Sequence, residues 1–290
     1  MDYVRVKRER DISAALSQDG AVLLAGGTDL MVRIHAGLTA PSLLVDIAEV
    51  PELRRIEPRS EGLSIGGAVP LSEILASPGI RNAYPLLALV LQSVGSPQIR
   101  HRATLGGNLA NASPAADGAL ALVALDADVV IAQASGERTC PVGDFLLGPG
   151  RTALHRGEYV RSVRLPPPIP DAMPFAHKVG RRRALTIAIA SVAAQLRVRS
   201  GAVVDVRLAA GSVAPRPLRL RGAEEAVIGR RLNETTLALA RAAVEREISP
   251  IDDVRATAAY RRAVTADLVI RALSPGSSAS PGAGSGVSWR

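Results

Sequence analysis

Five prolines fall in the segment RLPPPIPDAMP, from Arg164 to Pro174. Proline lacks the backbone N–H that helices and central strands need, and it disfavours helical conformation in the residue before it. We therefore expect no helix or strand to run through this segment, which divides the chain into two folding units near residue 170. The length of 290 residues also exceeds the usual size of one domain.

Strand-like and helix-like segments alternate before the prolines. AVLLAGG from Ala21 predicts a buried strand that ends in a tight turn, and SLLVDI from Ser42 predicts another. GLSIGGAVPLSEIL predicts a strand and then a helix capped by Ser72. YPLLALVLQSVG predicts a buried helix over residues 84–95, and a later helix is expected to turn into a strand near Asp126.

The second unit is predicted to contain a hairpin and two helices. VAAQLRVRSGAVVDVRLAAG has apolar residues alternating along two arms, with a turn at Ser200-Gly201. Helices are expected at about residues 234–247 and 254–273. Residues 274–290 are Ser, Gly and Pro with almost nothing to bury, so a disordered tail is predicted.

Composition excludes several kinds of site. The single cysteine, Cys140, excludes a disulfide framework and any cysteine-ligated zinc or iron–sulfur centre held by this chain alone. The histidines lack metal-ligand spacing, so no metal site is expected; they are His35, His101, His155 and His177. The sequence has no apolar run that could span a bilayer and no signal-peptide pattern, which predicts a cytoplasmic protein.

The formal charge of +8 raises the question of nucleic-acid binding. The basic residues are scattered, and aromatic residues, at 2%, are too few for a base-stacking platform. The densest basic cluster, GRRRA from Gly180 to Ala184, is typical of a solvated edge. We therefore expect no nucleic-acid partner.

Two segments carry adjacent glycines beside polar residues: LLAGGTDLM from Leu23 and TLGGNLANASPAAD from Thr104. Glycine permits close approach and the positive φ angles that make successive amides converge on an anion. Neutral donors could come from nearby hydroxyls and amides, at Thr28, Thr104, Asn108, Asn111 and Ser113. We expect the two loops to meet and to bind a diphosphate, although Gly-Gly pairs also mark simple turns. Gly66-Gly67 is interpreted as a turn only.

Two carboxylates need a different role, since Asp29 and Asp117 would repel a diphosphate that they faced closely. We expect them to accept hydrogen bonds from backbone, ribityl hydroxyls or a ring N–H. Neither loop has the Rossmann or P-loop pattern. The residues alone therefore indicate a phosphate-binding protein with two domains.

The motifs AGGTDL and IRHRATLGGNLANASPAAD resemble the FAD-binding medium subunit of molybdenum hydroxylases. This family contains xanthine dehydrogenases, aldehyde oxidases and carbon monoxide dehydrogenases. The similarity continues in the family's order to about Leu273, through LLVDIAEVPELRRI, LSIGGAVPLSEIL, LLGPGRTAL, HKVGRRRALTIAIASVAA and LAAGSVAPRPLRLRGAEEAVIG.

The resemblance implies an α+β fold. Residues 1–170 should form a PCMH-type FAD-binding domain, of the vanillyl-alcohol oxidase type, with two subdomains. Residues 171–273 should form a smaller domain like the C-terminal domain of the carbon monoxide dehydrogenase flavoprotein. Residues 274–290 remain as the predicted tail.

The resemblance also implies which residues bind FAD. The first loop should contact the diphosphate through Leu24, Ala25, Gly26, Gly27, Thr28, Asp29 and Leu30. The second loop should do so through Thr104, Leu105, Gly106, Gly107 and Asn108. Asp117 and Lys178 should lie at the flavin end, with Val94 over the ring, and a cation at Lys178 would stabilise the anionic reduced flavin.

The implied role is electron transfer within a complex. A large molybdopterin subunit would oxidise the substrate, a small subunit with two [2Fe-2S] clusters would carry the electrons, and FAD in this chain would pass them to NAD⁺ or another acceptor. AGGTDL in place of AGGHSL favours a xanthine dehydrogenase-like enzyme over a carbon monoxide dehydrogenase. His101 and Thr186 depart from the residues expected there, which bears on acceptor specificity. We assign no catalytic acid or base to this chain.

Three alternatives stay open. The chain could be the medium subunit of an aerobic carbon monoxide dehydrogenase or of another aldehyde or N-heterocycle dehydrogenase. It could be a non-catalytic assembly or binding protein that reuses the fold. A free-standing flavin oxidase is disfavoured, because only seven aromatic residues are present to line a substrate site.

Overall fold

The computed structural model describes residues 1–182 and 186–274. The first group of elements forms a small three-stranded parallel sheet in the order β1-β3-β2. Short 3₁₀ turns at Glu9–Asp11 and Pro51–Arg54 flank it. The elements are β1 (Asp2–Arg5), α1 (Ile12–Leu16), β2 (Ala21–Leu24), α2 (Leu30–His35) and β3 (Leu43–Asp46).

The predicted strands at Ala21 and Ser42 are present, but they differ in burial. All four residues of β3 are buried, because β3 is the central strand of its sheet. β2 is only half-buried, since it lies at the sheet edge, and the chain leaves it directly into the first Gly-Gly segment.

The second group is an antiparallel five-stranded sheet in the order β4-β5-β10-β6-β7, with helices packed on it. Its strands are β4 (Ile56–Arg59), β5 (Gly62–Gly66), β6 (Asp128–Gln133), β7 (Gly136–Pro141) and β10 (Tyr159–Leu165), with β8 (Leu146–Gly148) and β9 (Arg151–Thr152) as a separate pair. Its helices are α3 (Leu71–Ala76), α4 (Pro78–Ala83), α5 (Pro85–Leu91), α6 (Pro97–Arg102), α7 (Leu105–Ala110), α8 (Asp117–Ala124) and α9 (Val142–Phe145).

Two predicted helix ends in this group are wrong. Pro70 is the N-cap of α3, so Ser72 lies inside the helix and does not cap it. α5 ends at Leu91, because the next residues form turns and Gly95 has a φ of +51°. The predicted change from helix to strand near Asp126 is confirmed, with Asp126 itself at a φ of +52°.

The third group is a four-stranded antiparallel sheet in the order β11-β12-β13-β14, covered by three helices. It contains β11 (Met173–Val179), β12 (Ala190–Arg199), β13 (Ala202–Gly211), β14 (Leu218–Arg219), α10 (Arg221–Val227), α11 (Glu234–Glu247) and α12 (Ala258–Leu273). The hairpin turn at Ser200-Gly201 is confirmed, with both residues at positive φ. α12 begins four residues later than predicted, where the Thr257 hydroxyl accepts the amide of Tyr260.

The proline segment connects the second and third groups, and residues 166–172 are in neither helix nor strand. Its first two residues instead end β10, and Pro174 lies in β11. Proline is tolerated there because β11 is an edge strand and pairs on one side only. The predicted tail from Pro275, and part of the GRRRA cluster (residues 183 and 184), lie outside the described residues.

The third sheet packs directly on the helices of the second group. Ala193 of β12 and Ala209 of β13 belong to the same apolar core as α5 and α8. Arginines of the third group also reach across: Arg207 and Arg219 pair with Asp126, and Arg216 donates to the carbonyl of Leu146 at 2.7 Å. The interface therefore combines a shared core with ion pairs.

Candidate functional site

The two Gly-Gly loops lie against each other, as expected. A Cβ added to Gly26 would collide with the carbonyl of Arg102 and come within 2.9 Å of the Cα of Ala103, the residue before the second loop. Any larger residue at position 26 would force one of the two backbones to move. The close approach of the two backbones therefore explains the glycine. The backbone of the first loop therefore meets the backbone just before the second loop, although Gly26 and Ala103 are 77 positions apart in sequence.

The first loop presents unpaired backbone amides. Its carbonyls are used, because Gly27 and Asp29 accept from Met31 and Arg33 at 3.1 and 3.0 Å, and Leu24 accepts from Ile47. Within the described part of the chain, the amides of residues 25–30 donate to no protein acceptor. Gly27 has a φ of +71°, the left-handed conformation that makes neighbouring amides converge. This half-buried turn is suited to an anion.

The second loop is built differently, because several of its backbone amides donate to acceptors within the protein. The amide of Gly106 donates to the carbonyl of Gly67 at 3.2 Å, and that of Gly107 donates to the Thr104 hydroxyl at 3.0 Å. The amide of Asn108 is also paired, with the carbonyl of Thr104. These glycines therefore supply no free amides, because the loop closes into the first turn of α7 with Thr104 as its cap.

Gly66-Gly67 is more than the turn predicted from the sequence. Neither glycine has positive φ, and Gly66 ends β5. A Cβ added to Gly106 would lie 2.5 Å from the carbonyl oxygen of Gly67, so the two backbones touch. Sequence reasoning missed this contact, since nothing local in either segment indicates that they are neighbours.

The polar side chains of the second loop also have internal partners. The Asn108 Oδ1 accepts the amide of Ala119 at 3.0 Å, and the Ser113 hydroxyl accepts that of Ala115 at 3.2 Å. Asn108 therefore reaches the first turn of α8, the helix whose first residue is Asp117. The second loop and Asp117 form one connected unit.

Asp117 and Lys178 form an ion pair between the two halves of the chain, with Nζ and Oδ2 2.6 Å apart. Both side chains are largely buried, at 9% and 16% exposure. Residues alternate along β11, so Ala176 packs on the first core while Phe175 packs on the second, and Lys178 shares the side of Ala176. Lys178 is therefore a largely buried residue and not a surface lysine.

The pKa of the Asp117 carboxyl is higher than that of an exposed aspartate. Burial raises the pKa of Asp117, and the charge and hydrogen bond of Lys178 oppose that rise. The Lys178 ammonium also lies 3.5 Å from the carbonyl of Ser93, which precedes the half-buried Val94. Asp117, Lys178 and the loop at Val94 therefore meet, as the resemblance implied.

The two residues that depart from the family pattern, His101 and Thr186, lie outside the two Gly-Gly loops. His101 is exposed on α6, and Arg102 beside it is exposed next to the first loop. Thr186 is half-buried and its methyl group lies against Gly180. His101 therefore lies on the helix before the second loop, whereas Thr186 lies in the segment after β11.

A cleft of about 670 Å³ lies elsewhere, lined by residues that include Glu9, Glu137, Tyr159 and Arg161. Within it, the Arg161 guanidinium lies 2.6 Å from the carboxylate of Glu9 and 3.0 Å from that of Glu137. No residue of either Gly-Gly loop lines it.

Within residues 1–182 and 186–274, no group of three or more His, Cys, Asp or Glu side chains is arranged to hold a metal ion. Over the same ranges, the helices are too short or too polar to cross a bilayer.

Comparisons with known proteins assign the family. Residues 1–168 match the family described as the FAD binding domain in molybdopterin dehydrogenase, and residues 175–275 match the CO dehydrogenase flavoprotein C-terminal domain. The glyceraldehyde dehydrogenase medium chain of Sulfolobus acidocaldarius is 31% identical, over 93% of this chain and 96% of that protein.

Other relatives span different enzymes of the same family. The xanthine dehydrogenase FAD-binding subunit of Escherichia coli is 33% identical over 83% of each chain. The structure of carbon monoxide dehydrogenase from Hydrogenophaga pseudoflava matches with a TM-score of 0.91 and 30% identity, covering 94% of this chain and 96% of that one. The chain therefore belongs to the FAD-binding medium subunits of the molybdenum hydroxylases.

Proposed function

We propose that the first loop holds the FAD diphosphate, with the second loop closing the groove beside it. The observation that carries this proposal is the row of amides over residues 25–30, which have no acceptor among the described residues and lie next to a backbone contact that only glycine permits. The residues assigned to cofactor binding are Leu24, Ala25, Gly26, Gly27, Thr28, Asp29, Leu30, Thr104, Leu105, Gly106, Gly107, Asn108, Asp117 and Lys178. The backbone carbonyl of Arg102 lies against Gly26, and the residue itself is exposed.

These residues fit a diphosphate followed by a polar chain and a ring. Backbone amides neutralise the phosphates without a fixed cation. Asp29 is exposed, and its carboxylate accepts no hydrogen bond from the described residues, so it is available to sugar or ribityl hydroxyls. The buried pair of Asp117 and Lys178 supplies one acceptor and one donor for the ring end.

When bound, FAD supplies a centre that takes electrons from iron–sulfur clusters and releases them to a soluble acceptor. The chain itself orients the cofactor, shields one end of it from water and fixes the charge nearby. Lys178 offers a positive charge that stabilises added negative charge, and Asp117 compensates that charge in the absence of cofactor. No general acid or base is assigned.

For the complex, we propose a xanthine dehydrogenase-type enzyme with NAD⁺ as acceptor, supported by the AGGTDL motif and by the Escherichia coli relative. This chain would assemble with a small [2Fe-2S] subunit and a large molybdopterin subunit. The alternative is an aldehyde or carbon monoxide dehydrogenase, which the Sulfolobus and Hydrogenophaga relatives support at similar identity. We also propose that residues 1–170 form the FAD-binding domain of this chain and that residues 171–273 form its C-terminal domain.

The test uses the chain co-expressed with its partner subunits. The purified complex should contain FAD in equal amount to this chain, and its flavin absorbance should bleach on addition of the right substrate. Hypoxanthine, glyceraldehyde and carbon monoxide are compared, each with NAD⁺ or with an artificial acceptor. Bleaching by hypoxanthine and formation of NADH support the proposal. Bleaching only by another substrate overturns the assignment to a xanthine dehydrogenase-type enzyme. A folded protein without flavin overturns the whole proposal.

A further inference from the structure

Helix α8 lacks a cap of its own at its N-terminus. Its N-cap residue is Ala116, which has no side-chain acceptor, and the helix is buried along its whole length. The first amides of a helix have no partner within the helix and need acceptors from elsewhere, particularly when water cannot reach them.

The missing acceptor comes from another helix. The Asn108 Oδ1 accepts the amide of Ala119, the third residue of α8, at 3.0 Å. An N-cap side chain ordinarily bonds this same amide, so Asn108 performs the capping function from α7. Its oxygen must face the amide, because only the oxygen of its side chain can accept a hydrogen bond.

Asn108 is itself held in place by the second loop. Its amide donates to the carbonyl of Thr104, and Gly106 two residues earlier donates to Gly67. The side chain is therefore a short, fixed connection between the second loop and the first turn of α8. Asp117 begins that turn and reaches across to Lys178.

We propose that Asn108 is a positioning residue that acts through Asp117, holding its carboxylate opposite Lys178 at the ring end of the flavin site. This inference rests on the proposed function, and it makes the contribution of Asn108 to cofactor binding an indirect one, through Asp117, rather than a contact with the diphosphate. Without the cap, the first turn of α8 loosens and the carboxylate loses its fixed position.

A double-mutant cycle tests this role, because residues that act as a unit are not additive. The FAD dissociation constant is measured by flavin fluorescence for the full chain and for Asn108→Leu, Asp117→Ala and the double variant. Each single change is expected to weaken binding about tenfold, and the double variant to bind no more weakly than Asp117→Ala alone. The flavin midpoint potential should shift in the same direction in both single variants.

Rescue variants separate positioning from direct contact. Asn108→Asp keeps the acceptor oxygen and should restore the dissociation constant to within about threefold of the unchanged chain. Ala116→Ser supplies a local cap, so adding it to Asn108→Leu should also restore binding, and it keeps the test valid if Asn108→Leu alone does not fold. Asn82→Leu, on the exposed face of α4, is the matched control and should bind normally.

Additive effects in the cycle, or failure of Ala116→Ser to rescue, would overturn the inference. In that case Asn108 contributes independently of Asp117. An unchanged chain that binds no FAD would instead refute the proposed function, so the two failures are distinguishable.

Discussion

Replacing Lys178 with Met should expose how strongly the ion pair holds the two halves of the chain together. The change removes a charge 2.6 Å from the Asp117 carboxylate and leaves that buried carboxyl without its cation. Removing one partner of a buried pair costs roughly 3–5 kcal/mol, and the remaining exposure of this pair places it near the lower end, about 3 kcal/mol. For a chain of this size, that loss lowers Tm by about 6 °C.

The same variant has a predicted pH dependence. Burial already raises the pKa of Asp117 above its usual value, and loss of Lys178 removes the interactions that oppose the rise. A carboxyl with a raised pKa in the folded state stabilises the fold at low pH, and that stability is lost as pH rises through the raised pKa. The deficit of Lys178→Met relative to the unchanged chain should therefore be small near pH 4 and largest at pH 8.

Thermal unfolding of the full chain without added FAD measures this deficit at both pH values. Lys7→Met is the matched control, since Lys7 is the other lysine of the sequence and is exposed. Its Tm should stay within about 1 °C of the unchanged chain. A deficit that is equal at pH 4 and pH 8, or no larger than that of Lys7→Met, would refute the reasoning.

Three further predictions address the loops and the interface. Gly26→Val should abolish FAD retention, measured as flavin absorbance of the purified protein, whereas Gly79→Val on an exposed helix should retain it; equal flavin in both would contradict the packing at Gly26. Asp126→Asn removes the negative charge shared by two arginines and still tolerates the positive φ of this position. It should lower the free energy of unfolding by about 1 kcal/mol in urea titrations, and an unchanged free energy would count against the interface ion pairs. Glu158→Gln should destabilise the chain at pH 7, because the Arg138 hydrogen bond lowers the pKa of Glu158 to about 2; that stabilisation is lost as pH falls through about 2, so a deficit that persists below pH 2 would contradict it.

Local chemistry in the sequence predicted the parts of the fold that depend on neighbours along the chain. Ser200-Gly201 takes the positive φ values that a two-residue hairpin turn requires, and alternation along both arms follows from it. The bounds of α11 also agree, because Asn233 caps it locally by accepting the amide of Thr236.

Contacts between distant segments could not be predicted in this way. The start of α12 depends on a loop held by Asp253, which bonds Arg261 and the amide of Arg255, so periodicity alone placed it too early. The contact between Gly67 and Gly106 joins two turns that look independent. The family resemblance indicated that Asp117 and Lys178 lie at one site, but their direct pairing is a property of the folded chain.

Hydrogen exchange of the backbone amides tests most directly whether the first loop receives the diphosphate. The amides of residues 25–30 have no protein acceptor among the described residues, so they should exchange quickly in the FAD-free chain. FAD should slow their exchange, and riboflavin, which has no diphosphate, should leave it fast, while α11 stays unchanged in both cases. Protection of the second loop by FAD with residues 25–30 still exchanging freely would contradict the assignment.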